Sequence, residues 1–167
     1  MSPIQQEIFD KISNFSFTER AKAEEPYKFV REFDHHMSRY QKIFDYLCLP
    51  KNSSVFEMGP GCCYFLYLCR NHGYHVDAID ILNFQEVYQG ARTALGMEKV
   101  VKHQRLAPFE KVKFLRKYDL IICTLPPWFR HQPWTQTAHM DFLEQVHDHL
   151  KRKGRFFCNS SFLMLNI

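Results

Sequence analysis

The sequence predicts a three-layer α/β fold, doubly wound around a mostly parallel sheet of five strands. From Ser54 onward, short apolar runs alternate with helical stretches, the pattern of βαβ units with right-handed crossovers. A glycine loop, Gly59-Pro60-Gly61, follows directly on the first of these runs, where an open sheet of this kind holds its ligand. The 167 residues, 46% hydrophobic and 24% charged, suffice for one domain with a substantial core. Residues 1–167 are therefore read as a single domain, with a helical cap over 1–50 and an α/β core over 51–167.

The elements follow in order. Ile4, Ile8, Phe9 and Ile12 make a short helical stripe. After Pro26, a suitable first-turn residue, Phe29, Phe33, Met37, Tyr40, Phe44 and Leu47 recur at helical spacing until Pro50 closes the run. These two helices flank what comes next. Val55 to Met58 reads as the first strand and Tyr64 to Asn71 as a helix ended near Gly73. A second strand spans His75 to Ile81, then a helix runs from Phe84 to Leu95 and stops at Gly96. Lys99 to Gln104 is a weaker third strand. Tyr118 to Thr124, with Leu120-Ile121-Ile122-Cys123, is a deeply buried fourth. His139 to Leu150 is amphipathic, with Phe142, Leu143, Val146 and Leu150 on one face and Gly154 as its stop, and Arg155 to Asn159 begins a fifth strand. The expected strand order is 3-2-1-4-5.

Composition narrows the function classes. The net charge of +4 is mild. The clusters at Lys111, Lys113, Arg116 and Lys117, and at Lys151, Arg152 and Lys153, sit among acidic residues, which favours a solvated surface over a nucleic-acid footprint. The aromatic share of 16% reads as a Phe-filled core before a base-stacking platform. No stretch has the length and apolarity of a membrane span, and no signal-peptide pattern opens the chain, so a cytoplasmic location is expected. None of the six cysteines forms a C-x-x-C pair, and His147 and His149 diverge on their helix, so no metal site is expected.

The loop and two acids carry the chemistry. A dinucleotide fingerprint, G-x-G-x-x-G, needs glycine at position 64, where Tyr64 stands. That bulk opposes a pyrophosphate and disfavours NAD or FAD. Asp80 ends the second strand, 19 residues beyond Gly61. A carboxylate there can accept hydrogen bonds from both ribose hydroxyls of an adenosine ligand, the alternative being a helix cap or turn residue.

The run Val55-Phe56-Glu57-Met58-Gly59-Pro60-Gly61 resembles the first motif of class I S-adenosylmethionine-dependent methyltransferases, which have a Rossmann-like fold. Val76-Asp77-Ala78-Ile79-Asp80-Ile81 is similar to their second motif and Tyr118-Asp119-Leu120-Ile121-Ile122 to their fourth. Leu150-Lys151-Arg152-Lys153-Gly154-Arg155-Phe156 resembles the stretch before their fifth strand. The likeness spans roughly 26 to 160. Within the superfamily it is most like bacterial small methyltransferases of undefined substrate, through Leu106-Ala107-Pro108-Phe109, Trp128-Phe129-Arg130-His131 and Trp134.

The resemblance implies S-adenosyl-L-methionine as cofactor. Gly59 and Gly61 would let its methionine part lie against the loop, and Glu57 would orient the loop or the ammonium group. Asp80 would take the ribose hydroxyls, Ile81 would pack on the adenine, Arg105 and Leu106 would flank its edge, and Thr124, at the end of the fourth strand, would stand in the wall nearest the methyl. Three departures stand out: Cys63 replaces the third glycine, Pro60 removes a backbone donor, and Arg105 or Leu106 replaces the usual acid.

On the acceptor side, Thr124-Leu125-Pro126-Pro127-Trp128 is similar to the motif of amine methyltransferases, except that Leu125 occupies the polar position and accepts no hydrogen bond. Trp128 and Trp134 either line an acceptor pocket or anchor the loop on the core. His131 is the candidate general base, its ordinary pKa being near neutrality; an exposed loop histidine is the alternative. The leading reading is methyl transfer to a small-molecule or conjugated metabolite acceptor. A non-catalytic or truncated methyltransferase-like binding module is the second, and a nucleic-acid amine methyltransferase the third. The resemblance implies two more strands than the chain has room for. The apolar tail from Ser161 to Ile167 is expected to pack on the sheet edge, in its own chain or in a homodimer partner's.

Overall fold

The computed structural model describes residues 1–80, 85–123 and 134–158, with the backbone of 163–166. The strands are β1 (Ser54–Met58), β2 (His75–Asp80), β3 (Val101–His103), β4 (Tyr118–Cys123), β5 (Leu150–Cys158) and β6 (Leu163–Asn166). β1 is buried at every position and pairs in parallel with β2 on one side and β4 on the other. β3 extends the sheet beyond β2, and β5 extends it beyond β4, both in parallel. The predicted order 3-2-1-4-5 is the order found. β6 then lies antiparallel on β5, from Arg155 opposite Asn166 to Cys158 opposite Leu163. The sheet thus has six strands where the sequence predicts five, because the apolar tail satisfies its backbone groups on the edge of its own chain.

The helices are α1 (Pro3–Ser13), α2 (Glu19–Ala23), α3 (Lys28–Arg31), α4 (Phe33–Leu47), α5 (Tyr64–Asn71), α6 (Glu86–Leu95) and α7 (Gln136–Asp148). A capping box starts α1: Gln5 N donates to the Ser2 hydroxyl and Ser2 N to the Gln5 side chain. The helix predicted after Pro26 is divided. Pro26 sits in a 3-10 turn, and Glu32, at φ −102° and ψ 36°, separates α3 from α4. Packing explains the break. Phe29 faces Tyr88 of α6 at 6.2 Å between ring centroids, while Phe33 meets Tyr64 of α5 at 5.4 Å. A straight helix would have to serve both contacts from one stripe.

Pleating sends alternate residues to opposite faces. Val55, Ala78, Leu120 and Ile122 join a core with Ile8, Phe33, Phe65 and Val87 from α1, α4, α5 and α6. Phe56, Met58, Ile79 and Ile121 join a second core with Phe142 and Val146 of α7 and with Leu106 and Val112. Each large apolar side chain buried this way contributes on the order of 1.5–3 kcal/mol. Gln104 holds the segment over this second core: its Nε2 donates to Lys111 O at 2.7 Å, and its Oε1 accepts from Lys113 N at 2.8 Å.

The end of α7 corrects a prediction. The helix starts at Gln136, capped by the Thr135 hydroxyl, and stops at Asp148, two residues before the predicted end at Leu150, with His149 rather than Gly154 at its C-terminus. Gly154 lies inside β5. There the pairing jumps from Tyr118–Leu150 to Leu120–Arg155, a bulge in which Lys153 takes φ 69°. A Cβ on Gly154 would stand 2.8 Å from Lys151 O and 2.9 Å from Tyr118 O. Glycine is there for close backbone approach, not to end a helix. At the same end of the sheet, Asp119 Oδ2 accepts from Ser54 N at 2.7 Å, Ser54 Oγ at 2.8 Å and Lys151 Nζ at 2.8 Å, tying β1, β4 and β5 together.

Candidate functional site

The site grows from the carboxyl ends of β1 and β2. Gly59 N donates to Ile79 O at 2.9 Å, which holds the start of the loop against β2. Gly59, Gly61 and Cys63 all take positive φ, at 72°, 53° and 63°. Glycine adopts this region freely, whereas Cys63 does so at a cost of about 1 kcal/mol. Cys63 N closes the turn on Pro60 O at 2.8 Å, and Cys63 O receives Tyr67 N as α5 begins. The Tyr88 ring of α6 lies directly on the loop: a Cβ on Gly61 would come 3.3 Å from Tyr88 Cε1.

Asp80 is the last residue of β2, and its side chain keeps 13% of its exposure. Its partner is one the sequence reading missed. Arg92, twelve residues further on in α6 and with a side chain 4% exposed, donates from Nη2 to Asp80 Oδ2 and from Nε to Gly61 O at 2.9 Å. One guanidinium therefore joins the acid to the loop. Arginine on an amphipathic helix ordinarily reads as solvated surface, so composition gave no sign of it. The signal was spacing. Tyr88 and Arg92 are four apart, hence on one helix face, and Arg92 stands 5.9 Å from the Tyr88 ring.

Glu57 is 1% exposed. Between Phe56 and Met58, which face the second core, its side chain points to the face covered by α5. Burial pushes up the thiols of Cys63, Cys69 and Cys123, and the Glu57 charge adds to that rise in each. Cys62 is likewise pushed up by burial, to about 12. The thiols at the loop are therefore neutral, and the acidic and basic side chains of the site are Glu57, Asp80 and Arg92. Burial, followed by the neighbouring His35, lowers His36. Its ring lies tilted against Phe29, 4.6 Å between centroids, and Phe29 is the residue that contacts Tyr88.

Four of the predicted site residues come together here: Glu57, Gly59, Gly61 and Asp80. Arg105 is exposed, just beyond Gln104, whose N donates to Asp80 O at 3.0 Å. Leu106 is 3% exposed and packs in the core with Met58 and Ile79. Trp134 meets Phe142 edge-on at 5.7 Å, against that same core. Ile81, Thr124, Leu125, Trp128 and His131 lie outside the described residues. Among the described residues no group of three or more His, Cys, Asp or Glu could hold a metal ion, and no helix is long and apolar enough to cross a membrane.

No protein-family model and no curated protein matches the sequence. Solved structures do match in fold. A SAM-dependent methyltransferase from Thiobacillus denitrificans, in complex with S-adenosyl-L-homocysteine, is 18% identical with a TM-score of 0.50, over 72% of this chain and 47% of its own. The glycopeptide N-methyltransferase MtfA, complexed with S-adenosyl-L-methionine, is 14% identical with a TM-score of 0.51, over 73% of this chain and 53% of its own. A TehB-like SAM-dependent methyltransferase from Corynebacterium glutamicum is 11% identical with a TM-score of 0.52, over 80% and 71%. The chain spans about half the length of the first two.

Proposed function

We propose that this chain, which has the Rossmann-like fold of class I SAM-dependent methyltransferases, binds S-adenosyl-L-methionine and transfers its methyl group to a small-molecule or conjugated metabolite acceptor. The observation that carries the reading is the meeting of the glycine loop with Asp80 at the carboxyl ends of β1 and β2. The residues fit such a cofactor. Gly59 and Gly61 are two loop positions without a side chain, and Asp80 offers a carboxylate that is neither fully buried nor lost to bulk water.

When bound, the cofactor supplies an electrophilic methyl group on its sulfonium. The chain's own residues bind and orient. Gly59 and Gly61 let the backbone approach the methionyl part, and Asp80 accepts hydrogen bonds from the ribose hydroxyls. Glu57 orients the loop from below. Ile81, Arg105 and Leu106 are assigned to the adenine side, Thr124 to the wall nearest the methyl, Trp128 and Trp134 to the acceptor, and His131 to removal of the acceptor proton. Holding the acceptor in line with the methyl is the main catalytic contribution this fold makes.

A non-catalytic binding module is the second reading, and Cys63 favours it: a side chain stands, in a left-handed conformation, where a third glycine would open the loop floor. Calorimetric titration with S-adenosylhomocysteine tests the cofactor assignment on which the enzyme reading rests. The wild type should bind, and Asp80→Ala should bind about ten-fold more weakly, the value of a lost charge-assisted hydrogen bond. Unchanged affinity in Asp80→Ala removes Asp80 from the site.

A further inference from the structure

We propose that Arg92 is a positioning residue of the adenosyl site: it holds the Asp80 carboxylate in register with the glycine loop. The proposal rests on the cofactor reading above. Its geometry is a two-way bond from one planar group. Nε donates to Gly61 O at 2.9 Å and Nη2 donates to Asp80 Oδ2, so the fork fixes the angle between loop and acid as well as their separation. Burying a guanidinium costs far more than burying an apolar side chain of the same volume. With 4% of its side chain exposed, Arg92 is a poor choice for filling space and a good one for fixing an anion. A carboxylate has about four lone-pair sites on its two oxygens, and the bond from Arg92 to Oδ2 takes one of them.

Among the described residues, the charged and titratable groups around Asp80 include Arg92 and Tyr88 from α6, Cys62 and Cys63 from the loop, Cys123 from β4, and His103, opposite Asp80 on β3. Of these, Arg92 carries a permanent positive charge in direct contact with the carboxylate. With it removed, burial favours the protonated form of Asp80, and a neutral carboxyl is a weaker acceptor. The consequence is a pH-dependent affinity that simple loss of packing would not produce.

The test is titration with S-adenosylhomocysteine of the wild type, Arg92→Met, Asp80→Ala and the double variant, from about pH 6 to about pH 9, with thermal unfolding of each. Arg92→Met should bind about ten-fold more weakly at the acid end and recover toward the alkaline end as Asp80 ionises, while the wild type stays flat. The double variant should bind no more weakly than Asp80→Ala, because Arg92 acts through Asp80. Wild-type affinity in Arg92→Met overturns the proposal, as does a pH-independent loss that adds to that of Asp80→Ala. If Arg92→Met does not fold, Arg92→Lys replaces it. That variant keeps the charge and loses the fork, so it should bind several-fold more weakly with a flat pH profile; wild-type affinity or a pH-dependent loss there overturns the proposal. A wild type that fails to bind overturns the cofactor reading itself. A wild type that binds beside an unaffected Arg92→Met overturns the Arg92 role and leaves that reading standing.

Discussion

Replacing Gly154 by alanine should destabilise the fold by about 3 kcal/mol, the upper end of what overpacking a closed site costs. The figure follows from what the new Cβ would meet: Lys151 O at 2.8 Å, Tyr118 O at 2.9 Å and Lys151 N at 3.0 Å. All three are backbone atoms in the β4–β5 pairing, so no side chain can swing aside. Gly154 does not take positive φ, and the cost is therefore steric. At about 0.35 kcal/mol/K of unfolding entropy for a chain of this length, the expected fall in Tm is about 9 °C. Gly96→Ala provides the contrast. Gly96 takes φ 61° and a Cβ there meets nothing within 4 Å, so the cost is backbone strain of about 1 kcal/mol and about 3 °C. Calorimetric melting of both variants decides the matter. A Gly154→Ala protein that melts no lower than Gly96→Ala would refute the bulge as the reason for glycine.

Two further outcomes are expected. Burial pushes the Asp119 carboxyl up, but the bonds from Lys151 and Ser54 outweigh it and hold the group below its ordinary value. Stability from this clamp is thus present above about pH 4, the unfolded value, and is lost as pH falls through the folded one. Asp119→Asn should have a lower urea midpoint than wild type at neutral pH, with the gap closing below about pH 4; a gap independent of pH contradicts the clamp. A Cβ on Gly90 would come 2.7 Å from Phe15 Cε1 and 2.9 Å from Phe17 Cε1. Gly90→Ala should therefore lower stability by about 1 kcal/mol, overpacking being partly offset by the better helix propensity of alanine, and a melting point above wild type would contradict that packing.

The strand order was legible in the sequence because a parallel sheet buried on both faces writes itself as short apolar runs between helices. The runs at Val55–Met58 and Leu120–Cys123 have no other reading at that length. The Gly59–Gly61 loop and Asp80 were legible because both sit at strand ends. What was hidden depends on partners that local pattern does not name. Gly154 looks alike as a helix stop and as a bulge residue until Tyr118 O is seen beside it. The break at Glu32 follows from Phe29 and Phe33 meeting different helices. β6 needed its partner strand, since an apolar tail does not state which edge it pairs with. Arg92 was hidden most deeply, because its role lies in two acceptors on other elements.

Parallel calorimetric titrations of the folded wild-type chain with S-adenosylhomocysteine and with NAD test the central claim most directly. Tyr64 is buried beside the loop, with its hydroxyl donating to Phe29 O at 3.4 Å, so it stands fixed where a dinucleotide site requires glycine. The account predicts saturable one-to-one binding of S-adenosylhomocysteine and none of NAD. Binding of NAD without S-adenosylhomocysteine, or of neither, would contradict it.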